Sequence, residues 1–377
     1  MNVATTAYFG FESAVPALPA SEVSAELLLG NTSIRHAIPA IQALRTRSGQ
    51  EKDLTTDPEY FLSLLAGEQK RPAAVLLRSS SDLLGCVLLY EHTLCGFGLG
   101  LFHGGDYVGE GLVVGAAPHR TQLVGIAAQS LLERWRIHGV SLSMKGTKEE
   151  CVARMGPESE HRSFAGKSVQ HKLPLEPTYS GMLSSLGPRT RRSLAGKREH
   201  LEKDPGVTFL CDLSVEVARE AIEALRTVSE PTRSRPFFQA RLALQLRRSN
   251  FFSMALRHPN GTWLSLLMGW RIDGVTYIDI QLNHSQFKKE SLSAVMRAFM
   301  IEHEIGRQQR ALNFVGGSSL LLRRYCRPPE PYTDAFLRRP CLRGRLLAAL
   351  AAWVRPGSVY ERLEAPADAA RPTEIGA

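Results

Sequence analysis

The two apolar runs flanking Ile272-Asp273-Gly274 constrain this chain more than any other stretch. WLSLLMGW (263–270) and VTYIDIQL (275–282) consist largely of apolar, β-branched or aromatic residues. Gly274 accepts the positive φ that a two-residue primed turn demands, so residues 263–282 are expected to form a β-hairpin. From Ser291 the period changes. Leu292, Val295, Met296, Phe299, Met300 and Ile305 recur near the i, i+3, i+4 spacing of one helical face. ALNFVGG (311–317) then reads as a short strand ending in two glycines. The order is strand, tight turn, strand, helix, strand, a β-hairpin–loop–helix–β unit.

A length of 377 residues exceeds one ordinary core and favours two domains. Hydrophobic content of 44% with 22% charged residues excludes wholesale disorder. Lys and Arg total 46 against 37 Asp and Glu, a net charge of +9 that suits an anionic partner or a solvated basic surface. The six cysteines form no C-x-x-C pair, so neither a zinc cage nor a disulfide framework is expected, and no metal. The N-terminus lacks a basic n-region and carries Glu12, unlike a signal peptide. No run approaches the ~18 apolar residues of a spanning helix. These features lead to an expected cytoplasmic location, with the inner membrane face as the variant.

Residues 1–30 read as a poorly ordered lead-in. A helix is expected over 33–47 through Ile34, Ile38, Ile41 and Leu44, and a second from Asp57 (N-cap) and Pro58 (first helical position). AAVLLR and LLGCVLLYEH are strands, a glycine-rich segment follows, then a helix over 121–138 and the strand VSLSMKG. The second half repeats this order with helices at 190–203, 215–229 and 237–249. The expected organisation is a first half at 31–150, a linker or crossover at 151–185 rich in polar residues, glycine and proline, a second half at 186–338, and a helix and tail at 339–377. The arginine-flanked apolar helix Leu342–Val354 offers peripheral membrane contact or docking on the core.

LGPRTRRSLAGKREHLEKDPGVTF (186–209) resembles the basic entry helix of the BioF2-like, or CelD-like, acetyltransferase domain, a GNAT branch related to the FemAB peptidyltransferases. Leu186, Gly187, Arg189, Arg191, Arg192, Lys197, Arg198, Gly206 and Val207 carry that resemblance. Gly274, Tyr277, the helix from Ser291, Gly306 and LNFVGG stand where the family has its hairpin, cofactor-side helix and following strand. DYVGEGLVV (106–114) resembles a family segment in the first half. The fold it implies is α/β (α+β), with tandem GNAT-like domains, each a mixed, mostly antiparallel sheet flanked by helices. One departure stands out: Gln286-Phe287-Lys288-Lys289-Glu290-Ser291 replaces the usual small-residue, often Pro-Gly, approach to the cofactor-side helix.

The resemblance implies acetyl-CoA or another acyl-CoA as donor, its pyrophosphate held by N–H groups at a helix start, and an amine or hydroxyl acceptor. Cofactor-binding candidates are Gln281, Lys288, Lys289 and Ser291 in the second half. In the first, Gln122, Gly125 and Ala127 match the superfamily's Q/R-x-x-G-x-G/A pattern, with helix packing as the alternative. His284 and Asp279 are candidate bases, and Tyr277 a catalytic or acceptor contact. Asp279 and Gln281 alternate with Ile278, Ile280 and Leu282, so strict alternation places both on the polar face. Arg189 and Arg192 on the basic helix, and His103 and Asp106 in the first half, are acceptor-binding candidates. The cluster Arg233, Arg235, Arg241, Arg247 and Arg248 is expected to extend the basic patch. Acceptors implied by the family are envelope or exopolysaccharide precursors. Aminoacyl transfer from tRNA, as in FemAB proteins, and a non-catalytic scaffold or sensor are the alternatives. No nucleic-acid motif otherwise appears.

Overall fold

The computed structural model describes residues 23–66, 70–80, 82–94, 96–105, 112–115, 119–135, 137–155, 157, 159, 161–203, 207–229, 235–287, 291–315, 322–342 and 345–346. The first half runs β1 (Val23–Leu29), α1 (Gly30–Arg47), α2 (Pro58–Leu64), β2 (Lys70–Ser79), β3 (Asp82–Leu94), β4 (Phe97–Gly105), β5 (Leu112–Gly115), α3 (Arg120–Glu133) and β6 (Gly139–Lys145). As expected, Asp57 caps α2: its side chain accepts the N–H groups of Glu59 and Tyr60, with Pro58 at the first position. β1 was expected to belong to the lead-in. It pairs antiparallel with β2 along its whole length, because an otherwise bare sheet edge satisfies its backbone groups there.

Both faces of this sheet are covered. Val75, Leu77, Val87 and Leu89 face a core completed by Leu123, Val124, Ala127 and Leu131 of α3. Ala74, Leu76, Cys86 and Leu88 face Ile34, Ile41, Leu44 and Phe61 of α1 and α2. That is why AAVLL and CVLLY read as unbroken apolar runs rather than alternating ones.

The chain continues through α4 (Lys148–Met155), β7 (Arg162–Val169), β8 (Lys172–Pro174), α5 (Tyr179–Ser185), α6 (Pro188–Glu202), β9 (Thr208–Cys211), α7 (Val215–Val228), α8 (Arg235–Gln245), β10 (Phe251–Arg257), β11 (Trp263–Ile272), β12 (Val275–Asn283), α9 (Leu292–Gly306), β13 (Ala311–Phe314) and β14 (Glu330–Arg338). The hairpin between β11 and β12 turns at Asp273 and Gly274, with φ of 47° and 74°. Two positive angles are the signature of the primed turn expected there.

The second sheet has the order β8-β13-β12-β11-β10-β9, and the first runs β1-β2-β3-β4-β6-β14-β7 with β5 on β3. Here the structure departs from the expected boundaries. Residues 151–185, read as a linker, hold an edge strand of each sheet and the helix α5. β14, placed by sequence in the second half, inserts between β6 and β7 of the first sheet, antiparallel to both. Its Tyr332, Ala335, Phe336 and Leu337 are buried there. A strand buried on both edges gains two hydrogen-bond ladders, and its partners lie more than 160 residues away, so no local pattern announces it.

Among the described residues no helix is long and apolar enough to cross a membrane. Most of the expected helix 342–354, and the tail after it, lie outside the described residues.

Candidate functional site in the second half

A β-bulge organises the site. Across the β11–β12 ladder, Gly269 faces Ile278 and Met268 faces Ile280, so Asp279 is an extra residue on β12. A Cβ at position 269 would collide with the Tyr277 carbonyl oxygen, so the close approach requires glycine. The extra residue shifts the pleat. Ile278 lies in the core under α9, whereas Ile280 lies in the core under α7. The strict alternation expected from sequence is therefore broken: Gln281 and Asn283 face α9, and Asp279 goes to the opposite side.

β12 and β13 run parallel from the Val275–Ala311 pair to the Ile278–Phe314 pair, and the Val315 N–H adds a last bond to Ile278 O at 2.9 Å. Beyond this point β12 extends to Asn283, five residues past its last pairing with β13, and α9 starts opposite. A cavity of about 490 Å³ opens there, lined among others by Gln281, Asn283, His284, Ser291, Ser293 and Arg297.

The start of α9 is bare of side-chain caps. Ser291 is left-handed (φ 54°, ψ 44°), makes no capping bond, and the first turn holds no acid. The N–H groups of Ala294 and Val295 return to Ser291 O, so those of Leu292 and Ser293 stand at the helix end with its positive dipole.

The strand side of the cavity is a polar chain. Ser265 Oγ donates to Asn283 Oδ1 (2.7 Å), and Asn283 Nδ2 donates to Ser293 Oγ (2.9 Å). Arg297 Nη2 donates to Gln281 Oε1 at 3.3 Å. At the rim, His284 Nδ1 accepts the Gln286 N–H at 3.3 Å, and the imidazole meets Phe287 edge-on at 5.0 Å. With Nδ1 accepting, the neutral ring carries its proton on Nε2.

The structure thus gathers Gln281, His284 and Ser291 around one cavity and separates two other candidates from it. The Asp279 side chain is fully buried at the contact between the halves. It accepts from Arg241 Nε (2.7 Å), from Tyr60 Oη (3.1 Å) and from Gln245 Nε2. A carboxylate engaged in this way is an anchor between α2, α8 and β12. Tyr277 stacks on Trp270 at 5.3 Å and 7°, beside Tyr60 and Leu54. Burial pushes its phenol up to about 12. Lys288 and Lys289 lie outside the described residues.

In the first half, α3 begins at Arg120, so Gln122 is in its first turn, but Gly125 and Ala127 lie deeper. There their N–H groups belong to the helical ladder rather than to its free end. Ala127 is core, 1% exposed. His103 is buried against Tyr90 (5.1 Å) and His92 (6.3 Å), and Asp106 lies outside the described residues.

Arg189 and Arg192 are exposed on α6. Arg324 and Arg327 join Arg189 around an open hollow of about 690 Å³, where Arg324 Nη2 donates to Thr190 Oγ1 at 2.9 Å and Gly187 N–H to Tyr325 Oη. Sequence reading missed these two arginines because only the crossover before β14 brings them to α6. Nor does the expected arginine cluster form one patch. Arg241 is bound to Asp279, Arg248 to Asp57 and to the carbonyls of Glu51 and Lys52, and Arg247 lines a separate cleft between the halves. Arg233 is outside the described residues. Among the described residues no group of three or more His, Cys, Asp or Glu is placed to hold a metal ion.

Residues 188–332 match the family model for the acetyltransferase (GNAT) domain. No curated protein matches the chain by sequence. Among solved structures, L-PGS from Bacillus licheniformis superposes with a TM-score of 0.50 at 13% identity, covering 80% of this chain and 92% of that one. FemX gives 0.48 at 8% identity over 82% and 96%, and a tandem GNAT protein from the clavulanic acid biosynthesis pathway 0.41 at 9% over 84% and 98%.

Proposed function

We propose, for a chain with a tandem GNAT-like fold whose residues 188–332 match the GNAT acetyltransferase domain, that the second half transfers an acyl group from acyl-CoA to an amine or hydroxyl acceptor. The carrying observation is the opening between β12 and β13 at the uncapped start of α9. Phosphates suit that helix end, where unpaired N–H groups and the dipole favour negative charge. The open stretch of β12 offers backbone groups to the amides of an extended pantetheine arm, as an added strand would use them.

In the transfer, the acceptor's lone pair attacks the thioester carbonyl carbon, the C–S bond breaks, and the acceptor's proton leaves to a base. His284, at the rim, is our candidate base, and it must first give up the Gln286 N–H bond at Nδ1. Lys288 and Lys289 precede the helix in sequence and are candidates to add charge to the phosphates. Asp279 and Tyr277 support the site from the interface. Arg189 and Arg192, with Arg324 and Arg327, suit an anionic acceptor such as an envelope or exopolysaccharide precursor, or the tRNA of a FemAB-type aminoacyl transfer. A non-catalytic scaffold is the second reading. Two observations favour it: His284 Nδ1 is already engaged, and no carboxylate is among the described residues lining this cavity.

Calorimetric titration with acetyl-CoA and longer acyl-CoAs tests the proposal, using Ser293→Asp to put a carboxylate at the helix start and Gln122→Asp as the first-half counterpart. Micromolar binding, weakened at least about tenfold by Ser293→Asp alone (~1.4 kcal/mol), supports the second-half site. No binding of any CoA species would sink the acyl-CoA reading and leave the scaffold or the tRNA-dependent transferase.

A further inference from the structure

Arg297 is the one cation among the described residues that line this cavity, and no described carboxylate pairs with it. It stands on the second turn of α9, half-buried, and its hydrogen-bond acceptor among the described residues is the neutral Gln281 amide oxygen. Other arginines withdrawn from water here are paired: Arg241 with Asp279, Arg271 with Glu304 and Asp212, Arg45 with Asp57. A guanidinium removed from water without a carboxylate is costly, and a ligand that supplies the missing charge relieves that cost. Burial pushes the Arg297 guanidinium below its ordinary value.

The position of Arg297 separates this charge from the helix end. Two polar rungs cross the cavity, Asn283–Ser293 and Gln281–Arg297. Two strand residues are about 6.6 Å apart and four helical residues about 6 Å, so the backbone of the second rung lies ~6 Å inside that of the first, and Gln281 Nε2 donates to Asn283 Oδ1 at 3.5 Å between them. The second rung lies on the side of Ile278, where β12 and β13 are still paired.

We propose that Arg297 is a specificity-determining residue that receives an anionic oxygen group, carboxylate or phosphoryl, carried on the reacting end of the substrate pair. The inference rests on the reading of the cavity as a donor site. Its source is either the acyl group itself or the acceptor.

Two measurements on the full chain test this, with Arg297→Met and Arg297→Lys. The first needs no CoA. Thermal unfolding of the ligand-free protein should show Arg297→Met unchanged or raised by about 1–3 °C, because a charge without a partner is removed. Sodium phosphate, compared with sodium chloride at equal ionic strength, should stabilise the wild type and Arg297→Lys more than Arg297→Met. A lowered melting temperature in Arg297→Met, or equal phosphate responses, overturns the proposal.

The second compares succinyl-CoA with the similarly sized neutral butyryl-CoA by calorimetry. A wild-type preference for succinyl-CoA of at least about tenfold, falling to near one in Arg297→Met, places the anion on the acyl group. Equal binding of the two, with O-phosphoserine taken up by butyryl-CoA-saturated wild type but not by Arg297→Met, places it on the acceptor. If CoA binds and neither of these two patterns is seen, the proposal is overturned. Failure of every CoA species to bind the wild type removes the donor reading, and the melting measurement then decides on Arg297 alone.

Discussion

The two halves share one device and use it differently. In each, a strand runs parallel to a later one across a helical crossover: β4 with β6 through α3, and β12 with β13 through α9. Both helices begin without a side-chain cap or an acid in the first turn. In the first half the start of α3 is seated on the sheet. Leu123 presses against Gly85 and Gly115, where an added Cβ would come within 2.8 and 2.7 Å of its methyls. In the second half the strand facing the helix presents Gln281 and Asn283 instead, and a cavity remains. The sixth residue of α3 is Gly125 and that of α9 is Arg297. The same topology gives packing where small and apolar residues meet, and a cavity where amides and a guanidinium meet. The helix end alone does not decide which.

The interface offers the largest test of this division of labour. Asp279→Ala strips Arg241 of its buried partner and should cost about 3–5 kcal/mol, read from urea unfolding. A loss of acyl-CoA binding in the surviving folded protein would show that the first half, through Tyr60, also holds the bulge that sets the cavity. Unchanged stability would mean that the halves are not joined through this network.

Next in size, Leu123→Ala should cost about 2–5 kcal/mol while leaving any binding to the second-half cavity within twofold. Lost binding without lost stability would move the working site to the first half and break the comparison.

The smallest effect concerns the far end of α9. Asp212 is held below the usual carboxylate range: its burial raises it, but hydrogen bonding and charge from Arg271, then Arg307 and His303, outweigh this. A carboxyl depressed in the folded state contributes stability above its unfolded value, and that contribution is lost as pH falls through the folded one. Asp212→Asn should therefore flatten the acid limb of the stability curve below pH ~4, by under ~1 kcal/mol for so exposed a group. Chemical unfolding at pH 3 and pH 6 checks it. An identical acid limb in the variant would show that Asp212 does not clamp the helix.

Much of the fold was legible where local rules act alone. The turn at Asp273-Gly274, the Asp57-Pro58 cap and the amphipathic face of α9 each follow from a few adjacent residues. Among the candidate residues, Gln281 and Ser291 line the cavity, whereas Asp279 lies on the opposite side because of one extra residue in β12. The signal available was Gly269, a glycine inside an otherwise bulky strand, which marks a bulge or a close backbone approach. Arg297 was overlooked because a lone arginine on a helix reads as solvated until its neighbours are known.

Sequence alone determined the period of each element, the order of the two halves and the surplus of positive charge, since these depend on contacts within a few residues or on composition. Only the tertiary structure decided that β14 completes the first sheet, that Asp279 faces Tyr60 and Arg241 across the interface, and that Arg297 meets the neutral Gln281 amide rather than a carboxylate among the described residues. Each of those rests on groups far apart in the chain, and whether a charge or a strand edge is satisfied depends on what folding brings beside it.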